Sequence, residues 1–208
     1  MKIALFFICL SIAFSLSINA QEQKKQNTSI LFGDLYLGLS SNLKSNTALL
    51  GGVSLNYQIN KNLLTARYTE NIYFDSYVYE DNMFIFPFIL DKAINKELAL
   101  LYGLRWVFNK TSLSVSGGIS TNTHVFKVVD KSSNQLKKIK ESDIGFPFEV
   151  NFKLFKGRKK PFKILGIIPV GDPTALGSSF GLKIIGNISK HSYIGAGIAY
   201  GFGVHKQY

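Results

Sequence analysis

The sequence predicts an all-β fold, a closed antiparallel up-and-down barrel of eight strands that spans a membrane. Apolar residues recur at every second position in a series of segments, which is typical of strands rather than helices. After residue 20, no run approaches the roughly 20 consecutive apolar residues that a membrane helix needs. The composition is nevertheless 46% hydrophobic, with 17 Phe and 10 Tyr. Because only helices and closed barrels satisfy every backbone group in lipid, these observations together favour the barrel.

The first 20 residues have the pattern of a secretory signal peptide. Lys2 supplies the positive charge, Ile3 to Leu16 form the apolar region, and Ala20 occupies the cleavage position. We therefore predict a signal peptide at 1–20 and a barrel domain at 21–208. A plain N-terminal membrane anchor is the alternative, although the apolar run is short for a span. The only cysteine, Cys9, lies in the predicted signal peptide, so no disulfide is expected in the mature chain.

The last hairpin, Phe180 to Val204, shows the alternation most clearly. Its second strand is apolar at every even position from 194 to 204, and only glycine or alanine stands between. A water-exposed face would carry more Lys and Glu, so the apolar face is predicted to point outward into lipid. The other predicted strands are 29–40, 47–59, one from Leu63, 97–108, one around 112–120, and 144–154.

Three segments interrupt this pattern. Residues 72–96 are crowded with aromatics and form either a long loop or two more membrane strands, which would give ten. Thr123 to Asp143 is predicted to be a long basic loop. Residues 156–178 contain Pro161, Pro169 and Pro173 and are expected to hold an extra short strand or a surface flap.

The inward faces of the predicted strands carry several charged residues. An eight-stranded barrel has a lumen just wide enough for its own side chains, and buried charges must pair. We therefore predict an ion network around Glu149 and Asp34 that plugs the barrel. An anion site fed by surplus positive charge is the alternative. The predicted members are Asp34, Arg67, Arg105, Glu149, Lys153 and Lys183.

Two further groups of residues are candidates for contact with the surroundings. Aromatics near the C-terminal ends of every second predicted strand are expected to form a girdle at the membrane interface: Tyr57, Trp106, Phe108, Phe152 and Phe202. Aromatic and basic loop residues are candidates for surface binding, with packing against the barrel rim as the alternative: Tyr77, Tyr79, Phe84, Phe86, Lys137, Lys138 and Lys140.

The chain ends in an aromatic, Tyr208, behind an alternating last strand, although Lys206 departs from the apolar residue preferred there. Together with Leu101-Tyr102-Gly103, Ile144-Gly145-Phe146-Pro147 and Gly186-Asn187-Ile188-Ser189, this resembles small Gram-negative outer-membrane barrels of the OmpA/OmpX type, in a poorly characterised subgroup. The resemblance implies insertion by the barrel-assembly machinery through the strand ending at Tyr208. It also implies contact with outer-membrane lipid and lipopolysaccharide, a monomer, and periplasmic termini.

The sequence contains few candidates for chemistry. The net charge of +11 would suit nucleic acid, but an exported chain does not meet it. No metal-ligand or phosphate-loop spacing occurs, and no cofactor is predicted. His124, His191 and His205 lack the Ser or Asp spacing of barrel enzymes. We expect a structural or surface-binding and adhesion role without an open pore. The alternatives are a lipid-modifying outer-membrane enzyme and a soluble lipocalin-like periplasmic lipid carrier.

Overall fold

The computed structural model describes residues 29–42, 47–74, 91–130, 135–164 and 168–207. In these ranges no helix has the length and hydrophobicity to cross a bilayer. The strands are β1 (Ser29–Asn42), β2 (Thr47–Ile59), β3 (Asn62–Phe74), β4 (Asp91–Val107), β5 (Thr111–Asp130), β6 (Gln135–Phe155), β7 (Lys160–Ile164), β8 (Ile168–Thr174), β9 (Leu176–Ile188) and β10 (Tyr193–Val204).

Eight of these strands close a barrel in the order β1-β2-β3-β4-β5-β6-β9-β10, and β10 pairs with β1. Every neighbouring pair is antiparallel, which confirms the predicted up-and-down barrel. The ten-strand alternative is wrong because β3 pairs directly with β4 as far as Phe74 and Asp91, which leaves no place between them for further strands. Residues 75–90 lie outside the described ranges.

The barrel has two ends that differ in their connections. We call the end where β1 begins and β10 ends the terminal end, and the opposite one the loop end. At the terminal end, β2–β3 and β4–β5 are joined by tight turns, with Asn60 at φ 56° in the first. The connection from β6 to β9 contains β7 and β8, which form a separate two-stranded sheet. The predicted strand or flap at 156–178 is thus a hairpin of two short strands.

The predicted loop from Thr123 to Asp143 is wrong over most of its length. β5 continues to Asp130 and β6 begins at Gln135, and the two pair through Val125 with Lys140 and Asp130 with Gln135. β4 likewise begins at Asp91 and not at residue 97. In these extensions the apolar period is lost although the backbone pairing continues. A period-2 signal requires one apolar environment on one face, and strands that leave it lose the signal without losing their hydrogen bonds.

The two faces of the barrel wall have opposite chemistry. Large apolar side chains point outward, with Leu35 61%, Leu100 66% and Leu182 61% exposed, whereas the neighbouring Asp34 and Lys183 are 4% and 1% exposed. A soluble lipid carrier needs the reverse arrangement, with an apolar cavity and a polar surface. The lipocalin-like alternative is therefore wrong for this barrel.

Inside the lumen, glycines make space for aromatic rings. The Tyr36 hydroxyl bonds Thr69 Oγ1 at 2.7 Å and the Tyr68 carbonyl at 2.9 Å. A Cβ at Gly52 would collide with the same hydroxyl oxygen, so glycine is required there. At Gly203, φ is +139° and a Cβ would lie 2.6 Å from the Phe32 Cα. These glycines let Tyr36 and Phe32 fill the lumen from the β1 side.

Candidate functional site

The lower part of the lumen, towards the terminal end, is organised around Asp34 on β1. Its carboxylate pairs with the Lys153 ammonium and accepts hydrogen bonds from Asn56 Nδ2 at 2.9 Å and Ser54 Oγ at 3.3 Å. Lys183 Nζ lies 4.0 Å from the other side of the same carboxylate. All four polar partners come from strands β2, β6 and β9, so this cluster ties four strands together across the lumen.

The upper part of the chain of charges is centred on Arg67 on β3. Its NH1 donates to Glu149 Oε2 at 3.1 Å, and its Nε and NH2 both donate to Glu97 Oε1, at 3.2 and 2.6 Å. Glu149 Oε1 accepts from Lys183 Nζ at 3.0 Å, which joins this cluster to the lower one. The second Glu97 oxygen accepts from the Tyr193 hydroxyl at 2.9 Å and from Asn187.

These contacts form one continuous series of alternating charge. Three cations and three carboxylates follow each other in the order Lys153, Asp34, Lys183, Glu149, Arg67 and Glu97. We call this series the luminal charge chain. Each member is at most 4% exposed. Because the opposite charges balance and most remaining polar atoms are hydrogen-bonded, the chain can be buried without a large unpaired charge.

Arg105 lies apart from the luminal charge chain. No carboxylate of the described residues is within 4 Å of its guanidinium; instead it donates to Gln58 Oε1 at 2.6 Å, Ser112 Oγ at 3.0 Å and the His205 carbonyl at 3.0 Å. The Phe32 ring centroid is 4.6 Å from its Cζ. Arg105 thus acts as a hydrogen-bonding plug near the terminal end of the lumen, and the structure does not bring it into the network predicted around Asp34 and Glu149.

Glu97 is a luminal residue that sequence reasoning missed, although the pattern contains the signal. It has the same odd parity as Gly103 and Arg105, which the pattern predicts to point inward. The predicted strand begins at Glu97 itself, which makes this residue its edge. The correct start at Asp91 places Glu97 well inside β4. Without it, Arg67 would have Glu149 as its only carboxylate partner in the luminal charge chain.

Above the luminal charge chain, asparagines line the lumen towards the loop end. Asn71, Asn95, Asn122 and Asn187 are each at most 1% exposed. Asn187 Nδ2 donates to Ser120 Oγ at 2.7 Å and to Asn122 Oδ1 at 3.0 Å. In contrast, the Asn95 amide has no hydrogen-bond partner among the described residues. This layer is polar and neutral. Asn187 shares the inward parity of Lys183 in the predicted last hairpin, whereas Asn71, Asn95 and Asn122 lie outside the predicted strand patterns.

Two histidines of the sequence meet at the loop end. The His124 and His191 rings stack with centroids 3.9 Å apart and planes 12° apart. His191 Nε2 lies 3.2 Å from Glu141 Oε2, which also accepts from Lys190 Nζ at 2.6 Å. These hydrogen bonds lower the pKa of Glu141, and burial and the adjacent His191 lower the pKa of His124.

This histidine pair fits neither a metal centre nor a catalytic dyad. An imidazole nitrogen binds a metal in its ring plane, so two stacked rings do not point at one ion. No group of three or more His, Cys, Asp or Glu among the described residues has metal-holding geometry. The neighbouring hydroxyls of Ser189 and Ser192 bond backbone groups of their own turn. The arrangement closes the β9–β10 turn onto the β5–β6 hairpin.

The residues predicted to form the aromatic girdle all lie towards the terminal end and on the outer side. Tyr57, Phe108, Phe152 and Phe202 are 40%, 58%, 42% and 49% exposed. Trp106 shares the outward parity of Leu100 and Tyr102 and is half-buried. The rings come from strands or turns of β2, β4, β6 and β10, so they are distributed around the barrel.

The predicted surface-binding residues are only partly within the described ranges. Lys138 and Lys140 are exposed on the β6 extension at the loop end, beside Lys127 and Val125 of β5. Lys137 lies on the same strand, but its side chain is outside the described part. Tyr77, Tyr79, Phe84 and Phe86 fall in residues 75–90, which are not described. The structure thus places the lysines on a hairpin rather than in a loop.

Comparison with known proteins identifies the fold. No family model matches the chain, and no curated protein matches it. Solved structures do: Ail, the attachment invasion locus protein of Yersinia pestis, shares 9% identity at a TM-score of 0.51, over 86% of this chain and 99% of that one. The N-terminal β-barrel domain of Pseudomonas aeruginosa OprF shares 12% identity at a TM-score of 0.49, over 86% and 99%. Neisserial surface protein A shares 10% identity at a TM-score of 0.48, over 88% of this chain and 100% of that one. The chain has the fold of the small eight-stranded outer-membrane barrels.

Proposed function

We propose that this chain is an outer-membrane barrel with a structural or surface-binding, adhesive role and no open pore. The observation that carries the proposal is the reversal of chemistry across the barrel wall. An outer face that exposes Leu35, Leu100 and Leu182 by 61% or more is stable only in lipid. The proposal includes residues 1–20 as a signal peptide, 21–208 as the barrel, and Tyr57, Trp106, Phe108, Phe152 and Phe202 as the interfacial girdle.

The closed lumen supports a role that does not involve transport. The luminal charge chain crosses the barrel from Lys153 on β6 to Glu97 on β4, and Arg105 fills the space below it. An open channel requires a continuous water path, and the buried ion pairs and the rings of Phe32 and Tyr36 inside the lumen argue against one. We expect no stepwise conductance from the purified protein in planar bilayers. A reproducible channel current would contradict this part of the proposal.

A binding role is favoured at the loop end. β5 and β6 extend there as a paired hairpin well beyond the apolar band, and this hairpin presents Lys138 and Lys140 to solvent. A hairpin whose strands are paired along the backbone can hold an anionic surface ligand on its exposed cations. The fold neighbour Ail is named for attachment and invasion, and we propose a role of that kind for this chain.

The location is tested on outer membranes purified from cells that express the chain. Folded membrane barrels resist SDS without heating and change their gel mobility after boiling. We expect this shift, with the protein in the outer-membrane fraction and the N-terminus at Gln21. A soluble periplasmic protein without a shift would contradict the proposal.

The binding role needs a separate experiment. Deletion of residues 75–90, or the double change Lys138→Gln and Lys140→Gln, should abolish attachment of cells to a surface ligand and keep the heat-dependent shift. Attachment that is unchanged in both variants would remove the binding role and leave the structural one. Assembly through the strand ending at Tyr208, contact with lipopolysaccharide and a monomeric state belong to the same proposal.

A further inference from the structure

The two ends of the barrel carry very different charge. The turns and strand ends of the terminal end contain six basic residues whose side chains the structure describes: Lys61, Lys110, Lys156, Arg158, Lys159 and Lys206. We call these six residues the cationic collar. The side chains described in the same segments include no Asp or Glu, so these segments carry a net positive charge.

The loop end provides the contrast. Its strand extensions and turns, counted over the side chains that the structure describes, contain three acidic residues and four lysines: Glu70, Glu141 and Asp143, with Lys96, Lys138, Lys140 and Lys190. Several are paired, such as Lys96 with Glu70 at 3.3 Å and Lys190 with Glu141 at 2.6 Å. The excess positive charge of the described barrel surface is therefore concentrated at the terminal end.

The cationic collar is assembled by contacts between turns. Lys206 Nζ donates to the Asn109 carbonyl at 3.3 Å and to Asn109 Oδ1 at 3.1 Å, which holds the end of β10 against the β4–β5 turn. The Phe155 N–H donates to the Lys110 carbonyl at 2.9 Å, so that the start of the β6–β9 connection lies beside the same turn. Two connections, β4–β5 and β6–β9, and the end of β10 are thereby held together at the barrel mouth.

The depth of the collar is set by its neighbours in sequence. Phe108 is 58% exposed on the outer side and stands two residues before Lys110. Phe202, 49% exposed, precedes Lys206 by four residues, and Ile59, 38% exposed, precedes Lys61 by two. Outward aromatics lie at the interface of a bilayer, and lysines just beyond them extend into the headgroup layer. Lys61, Lys110 and Lys206 are therefore at the level of lipid phosphates.

We propose that the cationic collar is a binding surface for the phosphate groups of anionic phospholipids in the adjacent leaflet. This inference rests on the proposed membrane location. Anionic phospholipid fits better than a polysaccharide because the cations follow directly on lipid-facing side chains, where a headgroup phosphate is within reach of the ammonium groups. Each basic residue at a membrane surface strengthens the attraction for anionic lipid, and the contributions accumulate over several residues. The collar selects the lipids around this end of the barrel.

The chain contains its own reporter for the test. Trp106 is the only tryptophan, and it lies between the turns that contain Lys61 and Lys110. Lipids with brominated acyl chains quench tryptophan only at close range. We would fold the mature protein into vesicles that contain either brominated phosphatidylglycerol or brominated phosphatidylcholine at equal mole fraction. The expected result is an enrichment of phosphatidylglycerol at Trp106 on the order of fivefold, reduced by high salt.

Two matched variants separate the collar from overall charge. Lys61→Gln, Lys110→Gln, Lys156→Gln and Arg158→Gln together should abolish the enrichment. Lys92→Gln, Lys96→Gln, Lys127→Gln and Lys190→Gln remove the same charge at the loop end and should leave the enrichment unchanged. The heat-dependent gel shift of each variant verifies that it has folded.

The remaining outcomes are distinguishable. Equal quenching by both lipids in the unmodified protein would overturn the collar proposal and leave the membrane location intact. Collar-dependent retention on purified peptidoglycan together with equal quenching would overturn it in favour of a polysaccharide partner. If neither lipid quenches Trp106, the membrane location itself fails. An enrichment that survives in the collar variant would also contradict the proposal.

Discussion

The outer face and the lumen of this barrel are built from the same strands, yet they follow opposite rules. On β1, Leu35 is 61% exposed and the adjacent Asp34 is 4% exposed. On the outer face each side chain is adequate if it is apolar, and its shape matters little because lipid adapts to it. In the lumen each polar side chain needs a specific partner, as Arg67 does with Glu97 and Glu149. The stability of the outer face thus depends only on whether each side chain is apolar, whereas the stability of the lumen depends on which side chains pair with each other.

The largest effect is expected from removal of a central luminal cation. Arg67→Met leaves Glu97 and Glu149 buried with one cationic partner fewer each, which should lower the free energy of unfolding by about 3–5 kcal/mol. Urea unfolding of the protein folded into vesicles, followed by the gel shift, measures the change. Combining Arg67→Met with Glu97→Gln and Glu149→Gln should recover part of the loss. Equal instability of the single and triple variants would contradict pairing as the cause.

A smaller effect is expected from a charge on the outer face. Leu100→Arg places a cation on the apolar band and should cost about 2–4 kcal/mol in lipid. The control is Ser142→Arg, at an exposed position of β6 next to Ile144, where the apolar band ends. The same urea titration measures both. A similar cost at residues 100 and 142 would show that the band does not face lipid.

The next effect is the loss of one luminal hydroxyl. Tyr36→Phe removes the hydrogen bonds to Thr69 Oγ1 and the Tyr68 carbonyl but keeps the ring above Gly52. We expect the free energy of unfolding to fall by about 0.5–1.5 kcal/mol. Tyr102→Phe serves as the control, because the Tyr102 hydroxyl bonds Asn62 on the exposed side. A similar fall in the free energy of unfolding for both changes would contradict the view that hydrogen bonds contribute more to stability in the lumen than on the outer face.

The smallest effect concerns pH at the loop end, beyond the apolar band. The pKa of His124 is lowered by burial and by His191, so the unfolded chain takes up a proton at a higher pH than the folded one. The pKa of Glu141 is also lowered, by its bonds from Lys190 and His191. Protonation of His124 therefore disfavours the folded state, and stability falls as the pH drops below the ordinary histidine pKa of 6.5. The stability contributed by ionised Glu141 is lost as the pH drops below the ordinary glutamate pKa of 4.5.

Acidification should therefore loosen the contact between the β9–β10 turn and the β5–β6 hairpin. Amide hydrogen exchange near His191, corrected for the intrinsic pH dependence of exchange, is expected to accelerate as the pH falls from neutral through the ordinary pKa of histidine. His124→Phe should remove most of this acceleration. Corrected exchange that slows on acidification would contradict the expected direction of the pH effect.

The sequence predicted the barrel because lipid imposes a simple rule on every second residue. Strand β2 was predicted with its observed bounds, Thr47 to Ile59. The same rule correctly assigned Asp34, Lys153 and Lys183 to the inner face. Parity does not determine which inward charges meet, since that depends on register across several strands. Arg105 was therefore grouped with partners that it does not contact.

The alternation of apolar residues did not predict the strands beyond the apolar band. The β5 and β6 extensions continue past the outward apolar residues, so Thr123 to Asp143 showed no period although the backbone is paired to Asp130 and from Gln135. At 156–178 the sequence predicted an extra short strand or a surface flap, but the prolines gave no indication that two strands pair there as a separate sheet.

Contact between the apolar outer face and lipid can be measured with spin labels at two positions. The chain has no cysteine after Cys9, so Leu100→Cys and Ser142→Cys each give a single labelling site in the mature protein. In vesicles, the label at 100 should be relaxed by oxygen, which concentrates in lipid, and protected from a water-soluble nickel chelate. The label at 142 should show the reverse. Strong relaxation by the nickel chelate at position 100 would contradict a lipid-facing wall.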